Sequence, residues 1–387
     1  MKKNLKKVLA AGLAASMVMG MSVPAFADVS AKDQNNEDIT ITKEWDDSSA
    51  TITKYYKLAE TSNLNAVSPE ETFSFTIVKD DVQDAGVGIT SENMPVPEIT
   101  TSISYGDGDA GKTDKYKKDI TINFNDADGN SIYEGVGVYT YKITETAGDT
   151  AGVFYYANDI SLTVTVVQDS SGLIRVAAVH TEEETEKDAE NSTYKLGEFY
   201  NTYSAGNLSI NKTVTGNMGD QNKYFKVTVE FTAPADTKVN SDIAISSSSY
   251  ESDEGETNPT IIEGNSWTEE SVDLYIKHGE TITLSNIPEG VSYTVEEADY
   301  TTTDGYDDAT YSVDSATATT NSISDTIMVI KDTDDSIDDA VVITNNKGVV
   351  VDTGISLDNM PYLMALALTF IGGLGFISKK RKEEELF

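Results

Sequence analysis

Apolar and polar residues alternate along most of residues 28–350, in short runs rich in Thr, Ile, Val, Tyr and Phe. A period of two puts every second side chain on one face, which is typical of a half-buried β-strand. Turn-forming clusters such as Asp126–Asn130 and Pro288–Gly290 separate the runs. The pattern predicts an all-β chain with strands at Ile39–Trp45, Ala50–Leu58, Thr72–Val78, Asp119–Phe124, Val138–Glu145, Ile160–Val167, Leu173–His180, Asn207–Thr215, Lys223–Thr232, Ser271–Ile276, Glu280–Leu284, Val291–Glu297, Thr326–Lys331 and Ala340–Asn345.

The two halves of this region repeat the same motifs in the same order. Each half has a lysine on an early strand, then a Phe-rich strand, then a Tyr-x-[Ile/Val]-x-Glu segment, and it closes on a strand that ends in Asn. The last two motifs are Tyr141–Glu145 and Phe199–Asn201 in the first half, and Tyr293–Glu297 and Ile343–Asn345 in the second. Many short strands at this spacing are typical of β-sandwiches. We therefore predict two tandem β-sandwich domains, residues 28–205 and 206–350.

The two ends of the chain predict export and retention at the cell surface. Residues 1–27 open with lysines, continue with an apolar stretch and finish on a small-residue motif, so we predict a signal peptide cut after Ala27. Within residues 351–387, the apolar stretch Met360–Ile377 is followed at once by a basic cluster. About 18 apolar residues just span a hydrocarbon core, and basic flanks stay cytoplasmic. A transmembrane helix therefore holds the exported chain, either permanently or until it is processed.

Composition excludes many familiar functions. The chain has 28 Lys and Arg against 65 Asp and Glu, and its formal charge of −37 disfavours nucleic acid and anionic lipid as partners. It has no cysteine, and its two histidines, His180 and His278, are far apart, which argues against thiolate or histidine metal sites and a Cys nucleophile. The acidic run Asp126–Asn130 lacks the ligand spacing of an EF-hand loop and is interpreted as a turn. We predict no metal and no cofactor.

Charged and amide side chains fall on the apolar faces of the predicted strands. Because residues i and i±2 of a strand share a face, the alternation assigns one Lys, one Glu and one Asn of each half to a buried face. These residues are Lys54, Glu145 and Asn201 in the first half, and Lys212, Glu297 and Asn345 in the second. An unpaired charge in a protein core costs several kcal/mol, so we expect the three residues of each set to meet.

A Lys, a Glu and an Asn that meet in a dry core have a specific chemistry. Burial lowers the pKa of the amine and raises the pKa of the carboxyl group, which favours their neutral forms. The neutral amine is a nucleophile, and the protonated Glu can hydrogen-bond the carboxamide oxygen and shuttle protons. Attack on the Asn carboxamide expels ammonia and leaves a Lys–Asn isopeptide bond. The pattern alone leaves two alternatives open, a buried ion pair beside a hydrogen-bonded Asn, or inward charges that protect an edge strand.

The same residues carry a resemblance to a known family, over essentially the whole chain. The sequence resembles the major (backbone) pilins of Gram-positive bacteria, in particular the two-domain streptococcal T-antigen type. The matching segments are Thr51–Lys54, Pro69–Phe75, Gly137–Glu145, Phe199–Asn201, Leu208–Gly216, Asn286–Tyr293 and Ile343–Asn345. The resemblance implies two immunoglobulin-like domains, each with a self-formed Lys–Asn bond. It also implies that a Glu in each domain promotes this bond once, without enzymatic turnover.

Carried over residue by residue, the family pattern identifies both sets. The crosslinks it implies are Lys54–Asn201, promoted by Glu145, and Lys212–Asn345, promoted by Glu297. Lys43 remains an alternative to Lys54, because it faces the apolar row of Ile39, Ile41 and Trp45. The spacing to the Pro69–Phe73 segment favours Lys54, and Lys57 is the third candidate.

The C-terminus resembles a sortase signal with one departure. The string Val350–Gly354 lacks the proline of the Leu-Pro-x-Thr-Gly and Val-Pro-Thr-Gly signals, but the order of Thr-Gly, apolar span and basic tail is retained. The resemblance implies cleavage between Thr353 and Gly354 by a pilin-type sortase. It further implies that Thr353 is joined to a lysine of another copy, Lys195 by position, with Lys187 as an alternative.

We predict a secreted structural protein, the backbone subunit of a sortase-assembled, covalently linked pilus anchored in the cell wall. The implied partners are the sortase, other copies of the chain joined head to tail, peptidoglycan and a host surface ligand. The main alternative is a non-polymerising wall-anchored adhesin built from the same domains. A secreted hydrolase that uses paired carboxylates is the remaining alternative.

Overall fold

The computed structural model of the chain describes residues 30–32, 38–40, 48–63, 65–111, 115–168, 172–183, 198–247, 250–251, 257–313, 316–318, 322–327 and 338–349. Most of the regular structure in these ranges is β-strand. The strands are β1 (Ser30–Lys32), β2 (Asp38–Thr40), β3 (Ser49–Leu58), β4 (Glu71–Gln83), β5 (Glu98–Ile99), β6 (Ser102–Tyr105), β7 (Lys117–Asn123), β8 (Gly137–Thr146), β9 (Val153–Phe154), β10 (Ile160–Gln168), β11 (Ile174–Glu183), β12 (Glu198–Tyr203), β13 (Ala205–Thr215), β14 (Phe225–Thr232), β15 (Ile243–Ser246), β16 (Ile261–Ile262), β17 (Glu269–Ile276), β18 (Thr281–Pro288), β19 (Ser292–Glu297), β20 (Thr310–Val313), β21 (Ala316–Ala318), β22 (Ser322–Thr326) and β23 (Asp339–Asn346). A single-turn helix, α1 (Thr301–Asp304), and a 3-10 turn at Asp109–Gly111 lie between strands.

The first sandwich pairs two five-stranded sheets, in the orders β11-β10-β8-β4-β6 and β5-β7-β3-β12-β9. In the second of these sheets, β3 and β12 are parallel neighbours, although they come from opposite ends of the domain sequence. Their register pairs Lys54 with Phe199 and Tyr56 with Asn201. Glu145 lies on β8, in the opposite sheet. The first and last main strands of the domain therefore lie side by side, and the Glu strand faces them across the core.

The second sandwich repeats this plan with sheets in the orders β16-β15-β18-β13-β23-β20-β21 and β17-β14-β19-β22. Here β13 and β23 are the parallel neighbours, and their register pairs Lys212 with Ile343 and Val214 with Asn345. Glu297 ends β19 in the opposite sheet. The two domains thus place equivalent residues at equivalent positions of the same architecture.

The core of each sandwich is built by strict alternation along the strands. In β8, Tyr139, Tyr141 and Ile143 are fully buried and alternate with half-buried polar residues. Full burial of each such side chain contributes about 1.5–3 kcal/mol relative to exposure. Glu145 continues the buried row of β8, so the residues that form the core also exclude water from its carboxylate.

The two sandwiches are joined by hydrogen bonds as well as by the chain. Thr150 of the first domain forms a parallel bridge with Lys238 of the second, and the Ala151 N–H donates to the Lys238 carbonyl at 2.8 Å. Asn286 adopts a left-handed φ of 70°, and its side chain bonds both the N–H and the carbonyl of Val67 at 2.9 Å. The Asn286 side chain thus ties the loop between β3 and β4 of the first domain to β18 of the second.

The all-β architecture and the plan of two tandem sandwiches, both predicted from the alternation, are confirmed. The predicted strand Thr326–Lys331 lies mostly outside the described residues; β22 ends at Thr326 and pairs with β19. The short strands β5, β6, β9, β15, β16, β20 and β21 span only two to four residues, too few to reveal a period in the sequence. The limits 28–205 and 206–350 stay predictions.

The predicted signal peptide and the predicted C-terminal helix lie outside the described residues. In the ranges that the structure does describe, no helix is both long and apolar enough to cross a membrane.

Candidate crosslinking sites

The first site lies between the sheets of the first domain, where Lys54 and Glu145 meet. The Lys54 Nζ donates to Glu145 Oε2 at 2.7 Å, and both side chains are fully buried. Asn201 is also buried, and its Nδ2 donates to the other oxygen of the same carboxylate, Oε1. One carboxylate therefore holds the amine and the carboxamide together, as the alternation of the strands predicts.

Two further groups complete this site. The Asn201 Oδ1 accepts a hydrogen bond of 3.1 Å from the backbone N–H of Tyr156, just after β9. The Lys54 Nζ lies 4.0 Å from the centroid of the Phe73 ring, on β4. The carboxamide is thus fixed at both its nitrogen and its oxygen, while the amine is enclosed by an aromatic wall that keeps water away.

The second site has the same composition and an additional contact, from the amine to the carboxamide oxygen. The Lys212 Nζ donates to Glu297 Oε1 at 2.5 Å and to Asn345 Oδ1 at 2.6 Å. The Asn345 Nδ2 donates to Glu297 Oε2 at 2.6 Å, which closes a triangle of three buried side chains. Phe225 provides the aromatic wall, with its ring centroid 4.2 Å from the Lys212 Nζ.

Strand geometry explains why these side chains meet in both domains. Parallel neighbours present their inward residues side by side, so a Lys on the first strand and an Asn on the last strand point into the same layer. The Glu closes the site because its strand lies in the opposite sheet with its side chain on the inner face. The meeting of three residues far apart in sequence follows from the fold and from period-two burial.

Burial dominates the electrostatics of both sites. Desolvation lowers the pKa of Lys54 and of Lys212 from 10.5 to about 8, and the attraction of the neighbouring carboxylate opposes this change only in part. Desolvation likewise raises the pKa of Glu145 and Glu297 above the usual value, against the opposing effect of the amine. Both shifts favour transfer of a proton from the ammonium to the carboxylate, which gives a neutral amine beside a neutral acid.

This arrangement can form a bond. The lone pair of the neutral amine attacks the carboxamide carbon, and the carbonyl electrons move to the oxygen. The glutamate takes up the proton that the nucleophile loses and delivers it to the carboxamide nitrogen, whose bond to carbon breaks as ammonia leaves. In both sites the carboxamide nitrogen faces the glutamate, in the position to receive that proton. From the sequence, the glutamate was expected to bond the carboxamide oxygen instead.

The other predicted residues fall in two groups. Lys57, the third candidate for the first crosslink, lies on the outer face of β3, with its Nζ 4.6 Å from the Tyr55 ring centroid and 5.0 Å from that of Tyr200. Lys43, Lys187, Lys195, Thr353 and Gly354 lie outside the described residues.

The acidic run Asp126–Asn130 forms a turn, as interpreted from the sequence. The Asp126 Oδ1 accepts hydrogen bonds from the N–H groups of Asp128 at 3.0 Å and Asn130 at 2.8 Å. These bonds use the carboxylate within its own loop. Across the described part of the chain, there is no cluster of three or more His, Cys, Asp or Glu residues arranged to hold a metal ion.

Sequence reasoning did not identify the aromatic walls or the Tyr156 amide. Phe73 is the third residue of β4 and Phe225 the first of β14, and both strands alternate, contain Phe and follow the lysine strand, so the repeated motif contained this signal. The Tyr156 N–H is a backbone group, which no residue type in the sequence announces. It becomes visible only from the path of the chain.

Comparisons with known proteins match two consecutive parts of the chain. Residues 29–204 match the family described as Spy0128-like isopeptide containing domain, and residues 206–346 match a domain of unknown function (DUF7601). A pilin from Streptococcus pyogenes serotype M1 is 27% identical over 351 residues, covering 86% of this chain and 92% of the relative. The crystal structure of the major pilin from Streptococcus pyogenes aligns at 24% identity and a TM-score of 0.49, covering 78% of this chain and 99% of that one. The major pilin T3.2 from serotype GAS13637 aligns at 18% identity and a TM-score of 0.46, with coverage of 77% and 97%.

Proposed function

We propose that this chain is a Gram-positive major pilin that forms the backbone of a covalent cell-surface pilus, with a self-formed isopeptide bond in each domain. The observation that carries the proposal is the buried Lys–Glu–Asn set, present once in each sandwich at equivalent positions. Such intramolecular bonds suit a fibre subunit because they hold each domain together at any protein concentration. The crosslinks are Lys54–Asn201 and Lys212–Asn345, and Glu145 and Glu297 each promote one reaction on their own chain.

The buried sets favour bond formation over a resting ion pair. An isolated buried ion pair is often no more stable than apolar residues of the same volume, so it gives little reason to place the same three residues in both domains. Each carboxylate here contacts both the nucleophile and the leaving nitrogen. An ion pair alone does not require the second contact.

Assembly of the fibre follows from the sequence outside the described residues. A pilin-type sortase cleaves between Thr353 and Gly354 and transfers Thr353 to the amine of Lys195 on another copy, head to tail. The last subunit is passed to peptidoglycan, so the C-terminal membrane helix is transient. In this assignment residues 1–27 are the signal peptide, 28–205 and 206–350 are the two domains, and 351–387 form the sorting signal. The charge of −37 disfavours spontaneous association of subunits, which favours a covalent joint between them.

The assembly step is tested by replacing the linking lysine. Lys195→Ala should leave both internal bonds intact but reduce wall extracts on denaturing gels from high-mass ladders to monomer, whereas the matched variant Lys187→Ala should keep the ladders. Ladders that persist in Lys195→Ala assign the linkage to another lysine. Monomer alone in the parent chain, with the sortase present, contradicts the backbone function and supports a wall-anchored adhesin.

A further inference from the structure

Residues 147–156, here called the bridging loop, connect β8 to the first crosslinking site and contain β9. The loop ends beside Asn201 and passes against the second domain on the way. Within ten residues it therefore touches both a reacting group of the first domain and the neighbouring domain.

At the site, the bridging loop presents a backbone donor to the reacting carbonyl. The Tyr156 N–H donates to Asn201 Oδ1 at 3.1 Å, while Asn201 Nδ2 faces the Glu145 carboxylate. Charge develops on Oδ1 when an amine attacks the carboxamide carbon, and a fixed N–H in a buried site stabilises that charge. In the second site the corresponding oxygen, Asn345 Oδ1, accepts from the Lys212 ammonium instead. The two sites thus differ at the atom where the charge appears.

Residues 149–151 of the bridging loop are held by the second domain. The Asn240 Nδ2 donates to Thr150 Oγ1 at 2.8 Å, and the Ala151 N–H donates to the Lys238 carbonyl at 2.8 Å. The Lys238 N–H in turn donates to the Asp149 carbonyl at 2.8 Å. Ala151 is only 2% exposed and packs within the apolar core of the second domain. Docking of the second domain therefore fixes the middle of the loop.

Tyr155 links the part of the loop that contacts the second domain to the first domain. The Tyr155 hydroxyl accepts from the Thr150 N–H at 3.3 Å and donates to Glu71 Oε2 at 3.1 Å. A Cβ at position 148 would clash with this hydroxyl, so the glycine there leaves room for it. Phe154 pairs with Thr202, next to Asn201 on β12. The segment from the second-domain contact to the Tyr156 amide is thereby held on both sides.

We propose that the bridging loop is a catalytic element of the first crosslink, with the Tyr156 N–H as its oxyanion donor and the second domain as the part that sets the position of this donor. The inference rests on the proposed isopeptide bond of the first domain. The Lys54 amine adds to the Asn201 carbonyl carbon, and the electron pair goes to Oδ1 against the Tyr156 N–H. The pair then re-forms the carbonyl as the bond to Nδ2 breaks. The proton lost by Nζ passes through Glu145 to Nδ2, and ammonia leaves.

Two replacements of Tyr156 separate the donor from the side chain. Tyr156→Ala removes the ring and keeps the N–H, whereas Tyr156→Pro removes the ring and the N–H together. The full chain is made by cell-free translation and sampled over time, and each bond is followed by peptide mass mapping, with the second-domain bond as the internal clock. Tyr156→Pro should form the first bond about 100-fold more slowly than Tyr156→Ala. Its pH profile should keep the same shape, because Lys54 and Glu145 are unchanged.

Asn240→Ala tests the role of the second domain without touching the first. It should slow the first bond about tenfold, because a small displacement of a positioned group is costly to the rate. The matched control Asn258→Ala removes a second-domain side chain that bonds Tyr275 on both its N–H and its carbonyl, away from the loop. It should leave the first bond at the parent rate.

The outcomes separate this inference from the function on which it rests. If the parent chain loses no ammonia in the first domain, the proposed crosslink itself is wrong. If the parent reacts and Tyr156→Pro keeps pace with Tyr156→Ala, the oxyanion role is overturned. If Tyr156→Pro fails to fold, shown by loss of its circular dichroism signal, Asn240→Ala decides: a first bond at the Asn258→Ala rate overturns the proposal.

Discussion

Asn345→Ala isolates the contribution of the second crosslink, because it removes the carbon that Lys212 attacks and leaves the lysine and Glu297 in place. Lys212 and Asn345 are 133 residues apart in sequence. A crosslink that closes a loop of this length lowers the entropy of the unfolded chain by an amount worth about 5 kcal/mol at 25 °C. For a domain of this size that corresponds to a fall in Tm of roughly 10–20 °C.

Loss of the hydrogen bonds of the carboxamide adds a smaller destabilisation to that caused by loss of the crosslink. The carboxamide bonds both Glu297 and Lys212, and loss of a buried hydrogen bond costs about 1–3 kcal/mol. Glu297→Gln removes the proton acceptor and keeps Asn345, so it should abolish the bond with less disturbance of packing. Glu297→Gln also leaves the buried Lys212 ammonium without its carboxylate, which costs about 3–5 kcal/mol. It should therefore melt below Asn345→Ala, and both variants should melt well below the parent chain.

The assay combines intact mass with thermal unfolding of residues 28–350. Asn345→Ala and Glu297→Gln should each show one ammonia loss in place of two, and a lower melting transition for the second domain. The control Asn346→Ala changes the exposed neighbour on the other face of β23 and should keep both losses and melt within about 2 °C of the parent. A parent mass equal to the unmodified sequence would refute both crosslinks. Unreacted variants that melt with the parent would refute the entropic argument.

Two further expectations follow from the first site and its electrostatics. Crosslinking followed by mass over time should be fastest at intermediate pH. Above about 8, where the pKa of Lys54 and Lys212 lies, the Lys–Glu pair loses the proton it must pass to the leaving nitrogen. Below the raised pKa of the glutamate the pair holds two protons and the amine stays an ammonium, so a rate that climbs steadily to high pH would contradict the shared-proton scheme. Lys54→Arg should remove one ammonia loss and Lys43→Arg none; the reverse result would assign the first crosslink to Lys43.

The sequence predicts which residues form each site, but it does not predict the detailed geometry of the site. Period-two burial assigned Lys54, Glu145 and Asn201 to inner faces, because a strand offers only two faces and a charged residue in an apolar row stands out. The structure brings these three together. The orientation of the Asn201 carboxamide was not predictable, since it depends on the Tyr156 amide, which reaches the site by the path of a loop.

The contacts at the junction between the domains were likewise not predictable from the sequence. Ala151 looks like an ordinary loop residue in the sequence, yet it packs in the core of the other domain. Asn286 lies in a strand-like run, but its side chain substitutes for a backbone partner of Val67. Such contacts join segments far apart in sequence with no repeating pattern, so only the folded chain reveals them.

The parallel pairing of first and last strands has a mechanical consequence. A pull on the fibre enters the second domain at β13, its first strand, and leaves after β23, its last, and the proposed Lys212–Asn345 bond joins these two strands directly. The chain between Lys212 and Asn345, which are 133 residues apart in sequence, then lies outside the path of the force. Without the bond, unfolding of this domain would release about 450 Å of slack chain at roughly 3.4 Å per residue. With the bond, tension passes from β13 to β23 through covalent bonds alone. The domain then lengthens very little under load.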